Sequence, residues 1–148
     1  MRATKPVSSS SMRGSATNGS LIRDRVAVLG VDDQSQFLDV AREVVAATPG
    51  FDWVGGAASG AEALDAVTKL SPGLVLLDVR LPGMDGIETA GRISERHSDV
   101  VIVLMSIEDS PALAPAATAS GAAALIRKRE FGPAMLRRLW SLHGGAGA

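Results

Sequence analysis

From Arg25 onward, apolar positions alternate between two spacings. Short unbroken apolar runs are separated by stretches in which apolar residues recur every three or four positions. Val26 to Val31 is the first such run and reads as a strand ending in Asp32-Asp33. Phe37, Val40, Ala41 and Val44 then form a helical stripe that Pro49-Gly50 stops. Phe51 to Ala57 predicts a second strand. Ser59 and Glu62 have capping-box spacing ahead of a helix carrying Ala63, Leu64, Val67 and Leu70. Leu74 to Asp78 is a third strand, apolar at four successive positions and so expected to be buried on both faces. Asp85-Gly86-Ile87-Glu88 opens a helix with Ile87, Ala90 and Ile93 on its apolar side. Val100 to Met105 predicts the fourth strand, which ends at Ser106.

The next segment is unusual. Ser110-Pro111 reads as an N-cap followed by a first-turn proline, and the helix should stop at Gly121. Pro115, four residues after Pro111, would remove an internal hydrogen bond, and the alanines at 112, 114, 116, 117 and 119 offer little side chain to pack. A short, kinked or mobile fourth helix is the expectation. Ala123 to Ile126 is a fifth strand leading to Arg127-Lys128-Arg129. Pro133 then starts a last helix on which Leu136, Leu139, Trp140 and His143 share a face, ended by Gly144-Gly145. Trp140 is expected to anchor this helix on the sheet.

Five strand-then-helix units imply an α/β fold: a five-stranded parallel sheet with helices on both faces and right-handed crossovers. One compatible arrangement is the flavodoxin-like order 2-1-3-4-5, a (βα)5 three-layer sandwich whose switch point lies between the first and third strands. Composition changes the picture only slightly. The 46% hydrophobic content is nearly all aliphatic in its long side chains, with three Phe, two Trp and no Tyr, which argues against an aromatic-stacking platform for nucleic acid. Cysteine is absent, excluding disulfides and thiolate chemistry. Of the 15 basic and 16 acidic residues, four and one lie in residues 1–24, leaving 11 and 15 in the body, too acidic a balance for nonspecific nucleic-acid binding. No apolar run approaches a membrane span. Residues 1–24 are rich in Ser and Arg, offer Met12 as a candidate alternative start, and are expected to be a disordered tail. The domain proper is expected over 25–143, with 144–148 a flexible tail or linker remnant.

The chemistry concentrates at strand ends. An aspartate after a strand is most often a loop cap, but under the 2-1-3-4-5 order Asp32, Asp33 and Asp78 converge, with Ser106 and Lys128 on the same edge. Three clustered carboxylates repel, so at least one pKa should rise unless a hard divalent cation such as Mg²⁺ relieves them. A lysine and a hydroxyl beside them suit attack by a carboxylate on a phosphoryl group. His97 and His143 are too far from the strand ends to suggest acid–base chemistry.

Asp32-Asp33, the run Leu76-Leu-Asp-Val-Arg-Leu-Pro-Gly-Met-Asp-Gly86, Ser106 and Gly121-Ala-Ala-Ala-Leu-Ile-Arg-Lys128 together resemble the receiver domain of two-component response regulators over about residues 25–143. Pro49–Ala57 and Lys128–Phe131 are similar to receivers that precede a LuxR-type helix-turn-helix effector. The resemblance implies that Asp78 is a phosphoacceptor supplied by a sensor histidine kinase or phosphotransfer protein. Asp32, Asp33, Asp78 and the Arg80 backbone carbonyl would hold Mg²⁺, and Lys128 and Ser106 would contact the phosphoryl group. Ser106 and position 125 would form the switch, where the family often has an aromatic residue and this chain has Leu125. Ile107, with Arg80 and Glu108, would modulate access. The resemblance further implies a cytoplasmic, non-enzymatic signalling domain with intrinsic autophosphatase activity. Its output or homodimer face would be the fourth helix, fifth strand and last helix. No direct nucleic-acid or membrane contact is expected. A single-domain receiver and a DNA-binding regulator cut in the linker at Gly144–Ala148 both remain open. The competing reading is a phosphorylation-independent interaction or dimerisation module. An enzyme of the same fold binding nucleotide or flavin is disfavoured, because no Gly-rich phosphate loop is present.

Overall fold

The computed structural model describes residues 25–109 and 111–144. The expected tail over 1–24, the Ser110 N-cap and residues 145–148 lie outside the described residues. The described chain forms β1 (Val26–Val31), α1 (Ser35–Ala46), β2 (Phe51–Ala57), α2 (Gly60–Leu70), β3 (Leu74–Asp78), α3 (Gly86–Arg96), β4 (Val101–Ser106), α4 (Ala114–Ala119), β5 (Ala124–Arg127) and α5 (Pro133–His143). Single 3₁₀ turns at Pro111–Leu113 and Lys128–Glu130 precede α4 and follow β5. The strands form one parallel sheet, as the alternation of units predicts, and its order is β2-β1-β3-β4-β5, the flavodoxin-like one among the compatible arrangements. β4 and β5 each begin and end one residue later than their apolar runs suggest.

The strands' period of two sorts their side chains into two cores. Leu29, Val31, Val75, Leu77, Ile102 and Leu104 pack with Ala63, Val67, Ala90, Ile93 and Ala117, so α2, α3 and α4 cover this face. Val28, Leu74, Leu76, Val101, Val103 and Met105 pack with Ala41, Val45, Leu136 and Leu139 under α1 and α5. β3 lies in the middle of the sheet and is buried at all five positions, with Leu74 to Leu77 fully inaccessible. Each such leucine contributes about 2 kcal/mol of burial free energy. Trp140 is half-buried against the α1/α5 core, the anchoring role its spacing suggests.

Three local expectations are corrected. Val40 is 52% exposed; α1 instead buries Ala41 and Val45, with Phe37 and Val44 half-buried. Leu70 is 41% exposed, because it is the last residue of α2 and lies over Gly55 of the edge strand β2, with no further strand beyond it. His143 likewise stands in solvent rather than sharing the buried face of Leu136 and Leu139.

Helix starts follow the sequence closely. Ser59 Oγ accepts a hydrogen bond from Glu62 N at 3.2 Å, although the Glu62 carboxylate reaches back to Ala58 N rather than to Ser59 N. Asp85 Oδ1 accepts from Glu88 N at 2.8 Å. Pro115 has a different consequence from the one its spacing suggests. The segment splits into a 3₁₀ turn and a six-residue α4, so Pro115 falls in the first turn of α4, where an N–H has no intrahelical acceptor in any case. The helix is short because the 3₁₀ turn takes up Pro111–Leu113 before it and Gly121 ends the unit after it, and among its six residues Ala117 alone is buried. Gly121, at φ +94°, takes the left-handed conformation that ends this unit.

Candidate functional site

The same period of two builds the site. On β3, Asp78 continues the series Leu74, Leu76; on β1, Asp32 continues Val26, Val28; after β5, Lys128 continues Ala124, Ile126. All three therefore emerge on the α1/α5 side, at the carboxyl ends of neighbouring strands. Ser106 continues Ile102, Leu104 and approaches from the α3/α4 side, together with Leu125. The strand order brings β1 and β3 side by side at the switch point, where open parallel sheets bind ligands.

Each of the two buried acids is oriented by a turn. Asp32 Oδ1 accepts from Gln34 N at 2.9 Å, and Asp78 Oδ1 accepts from Arg80 N at 3.1 Å. This leaves both Oδ2 atoms facing Lys128, whose Nζ lies 2.6 Å from Asp32 Oδ2 and 3.4 Å from Asp78 Oδ2. Asp32 is 1% exposed and Asp78 6%. Asp33, on the solvent side, completes a triad whose carboxylate oxygens lie within 4.8 Å of one another. The ammonium approaches Asp32 Oδ2 off the direction a hydrogen bond requires, so this buried oxygen has a charge partner but no hydrogen-bond donor. An oxygen left in that state, among three hard anionic donors, fits a divalent cation of the Mg²⁺ type.

Lys128 is placed by its neighbours. Its ammonium sits 4.7 Å from the centre of the Phe37 ring. The turn that carries it is closed by Glu130, whose Oε1 accepts from Arg127 N at 3.0 Å and whose Oε2 pairs with the Arg127 guanidinium at 3.2 Å. Sequence reasoning used Phe37 only as part of a helical stripe and passed over Glu130, although an acid three residues after a strand-terminal residue is a capping signal. Ser106 Oγ donates to the Glu108 carbonyl at 2.6 Å. The pocket mouth is lined by Asp33, Gln34, Asp78, Arg80, Ser106, Ile107 and Lys128, and Ile107 stands 65% exposed above it. A separate groove of about 390 Å³ runs between α4 and β5, with Ser106, Ala117 and Leu125 among its walls.

Burial pushes the Asp78 carboxyl above the usual carboxylate range, and the charge of Asp32 adds to this; the Arg80 N–H and Lys128 act against them. A carboxyl whose pKa is higher in the folded than in the unfolded state destabilises the fold above that pKa. The penalty fades as pH falls through it and the native protein takes up the proton first. Asp78→Asn should therefore stabilise the metal-free protein by about 1 kcal/mol at neutral pH, the ordinary size of a single-site effect. The gain should shrink as pH is lowered. Urea unfolding in chelator across pH checks this, and a gain that grew towards acid would contradict it.

A doubly wound parallel sheet with acids at its switch point and a lysine from the fifth strand end defines a class of flavodoxin-like domains. Within that class, the chain belongs to the response regulator receiver domain family, which matches residues 28–139. It is 24% identical over 119 residues to the transcriptional regulatory protein DegU of Brevibacillus brevis, covering 80% of this chain and 50% of that one. It is 36% identical over 104 residues to protein-glutamate methylesterase/protein-glutamine glutaminase 5 of Myxococcus xanthus, covering 70% and 30%. The chain thus spans half or less of these curated relatives. Among solved structures it resembles the signal receiver domain of the response regulator NarL from Mycobacterium tuberculosis, with TM-score 0.76, 28% identity, and coverage of 82% and 98%. Receiver domains are signalling domains, mostly non-enzymatic, that bind Mg²⁺ at an acidic pocket, interact with histidine kinases or phosphotransfer proteins and often dimerise. No described helix is long and apolar enough to cross a membrane.

Proposed function

We propose that residues 25–143 act as a phosphorylatable switch with Asp78 as the phosphoacceptor. The observation that carries this reading is the meeting of Asp32, Asp33, Asp78 and Lys128 at one sheet edge, with Lys128 Nζ in ionic reach of two of the acids. An Asp78 carboxylate oxygen attacks the phosphorus of a phosphohistidine on a sensor kinase or phosphotransfer protein. The new O–P bond forms as the P–N bond breaks, and the histidine leaves with its nitrogen electron pair. Asp32, Asp33, Asp78 and the Arg80 carbonyl would hold Mg²⁺, which supplies charge neutralisation for the phosphoryl oxygens. Lys128 shifts from the carboxylates to the phosphoryl group. Ser106 exchanges its bond to the Glu108 carbonyl for one to a phosphoryl oxygen, and water later hydrolyses the acyl phosphate.

The charge change at Asp78 biases packing on the far side of Ser106. There the small residues of α4 and the groove beside Leu125 leave room for an aliphatic rearrangement in place of an aromatic one. The output and homodimer face is α4, β5 and α5, working in the cytoplasm without direct nucleic-acid contact by these residues.

The test is Mg²⁺-dependent labelling by acetyl phosphate. Labelling should appear with metal and vanish in Asp78→Asn; no labelling of the wild type would leave the interaction-module reading in its place. Ile107, over the mouth, should slow entry to Asp78 and attack on its phosphoryl group. Ile107→Ala should raise the labelling rate about twofold, under 1 kcal/mol of barrier, and an unchanged or slower rate counts against that role.

A further inference from the structure

We propose that Phe37 is a positioning residue for Lys128: its ring holds the ammonium on the Asp32 side of the acidic pocket, where it competes with a divalent cation for the same oxygens. The inference rests on the site reading above and adds a control on metal occupancy that the acids alone do not supply. Phe37 lies in the first turn of α1, half-buried against the α1/α5 core, so its position is set by packing. Lys128, which follows β5, reaches towards this ring past the ends of β4 and β3, with Nζ 4.7 Å from the ring centre and 2.6 Å from Asp32 Oδ2 but 3.4 Å from Asp78 Oδ2. The pull is thus uneven. The Lys128 side chain is 11% exposed, and partial removal from water strengthens an ammonium–ring contact over its value at an exposed site. The charge contact at Asp32 Oδ2 lacks hydrogen-bond direction, as expected when the ammonium's position is a compromise between the ring and the carboxylates.

A cation entering the triad must displace Lys128 from Asp32, and whatever stabilises Lys128 there lowers metal affinity by the same factor. Phe37→Leu keeps an apolar side chain on α1 and removes the ring. It should therefore tighten Mg²⁺ binding about two- to fivefold, the range expected of an ammonium–ring contact. Phe37→Tyr, which keeps the ring, should restore wild-type affinity.

The experiment is calorimetric titration of the full chain with Mg²⁺, together with proton NMR of the Lys128 ε-methylene group in metal-free protein. Wild type should show these protons shifted upfield by the ring current, and Phe37→Leu should abolish the shift. In a Lys128→Met background Phe37→Leu should leave Mg²⁺ affinity unchanged. A packing role alone predicts weaker or unaltered binding in Phe37→Leu and no dependence on Lys128, and either result overturns the proposal. So does the lack of a ring-current shift in wild type. That shift is read without metal or phosphoryl donor, so it tests the Phe37–Lys128 contact even if Asp78 fails to be labelled.

Discussion

Lys128→Met should cost the metal-free protein about 3 kcal/mol of folding stability, because it strips the counter-charge from a carboxylate that water cannot reach. Asp32 is 1% exposed, and Lys128 Nζ is its charge partner at 2.6 Å. Methionine keeps the length and most of the apolar stem, so the loss is electrostatic rather than a cavity effect. With the ammonium gone, three carboxylates with oxygens within 4.8 Å of one another carry no compensating charge. The same substitution opens the triad to a cation without a competitor. Millimolar Mg²⁺ should recover much of the lost stability, by the logarithm of its concentration over its dissociation constant. It should stabilise the variant more than the wild type. Urea unfolding of both proteins in chelator and in Mg²⁺ checks the two halves together. A variant as stable as wild type in chelator would mean that water or relaxation already compensates Asp32. A variant that Mg²⁺ fails to rescue would remove the triad as a metal site.

Gly86→Ala should destabilise by about 3 kcal/mol, at the upper end of overpacking effects, because the new methyl meets backbone and not a side chain that could turn away. A Cβ at Gly86 would fall 2.0 Å from the Asp78 carbonyl oxygen and 2.7 Å from Val79 Cα. Gly86 N also donates to the Val79 carbonyl at 2.8 Å, tying the start of α3 to the end of β3. The clash would therefore move either α3 or the residue that presents Asp78. At Gly91, in the same helix, an added Cβ would meet nothing within 4 Å. Gly91→Ala should accordingly stabilise by about 0.5–1 kcal/mol through helix propensity. Opposite signs for the two substitutions in thermal or urea unfolding isolate the close approach; stabilisation by both would leave helix propensity as the whole explanation.

The acids were legible from the chain alone for a physical reason. Strands buried on both faces must be apolar throughout, so Asp78 at the end of Leu74–Leu77 stands out against its own segment, as do Asp32-Asp33 after Val26–Val31. The five-unit alternation then forces the strand ends to one edge. Side-chain geometry within that edge was not legible. Lys128 pairs more closely with Asp32 than with Asp78, although Asp78 is the nearer of the two in the chain. That preference depends on where α1 places Phe37 and on how Glu130 closes the turn. Helix faces were partly misread. Val40 fits the spacing of the stripe in α1, but rotation of α1 on the sheet buries Val45 instead.

The fourth helix marks the same boundary. Two prolines four residues apart and a run of alanines foretold a weak helix, and α4 is six residues long with one buried alanine. Where the break would fall was a tertiary matter: a 3₁₀ turn over Pro111–Leu113 lets Pro115 sit in the first turn of α4 rather than inside it. By itself, then, the sequence determined the five strands, their parallel arrangement and the carboxylates at the strand ends, because hydrophobic period and turn residues act locally and repeat along the chain. Only the tertiary structure decided which oxygen Lys128 faces, how Phe37 and Glu130 hold it there, and why residue 86 must lack a side chain. Those depend on distances between segments far apart in sequence, set by how α1 and α3 pack against the ends of β1 and β3.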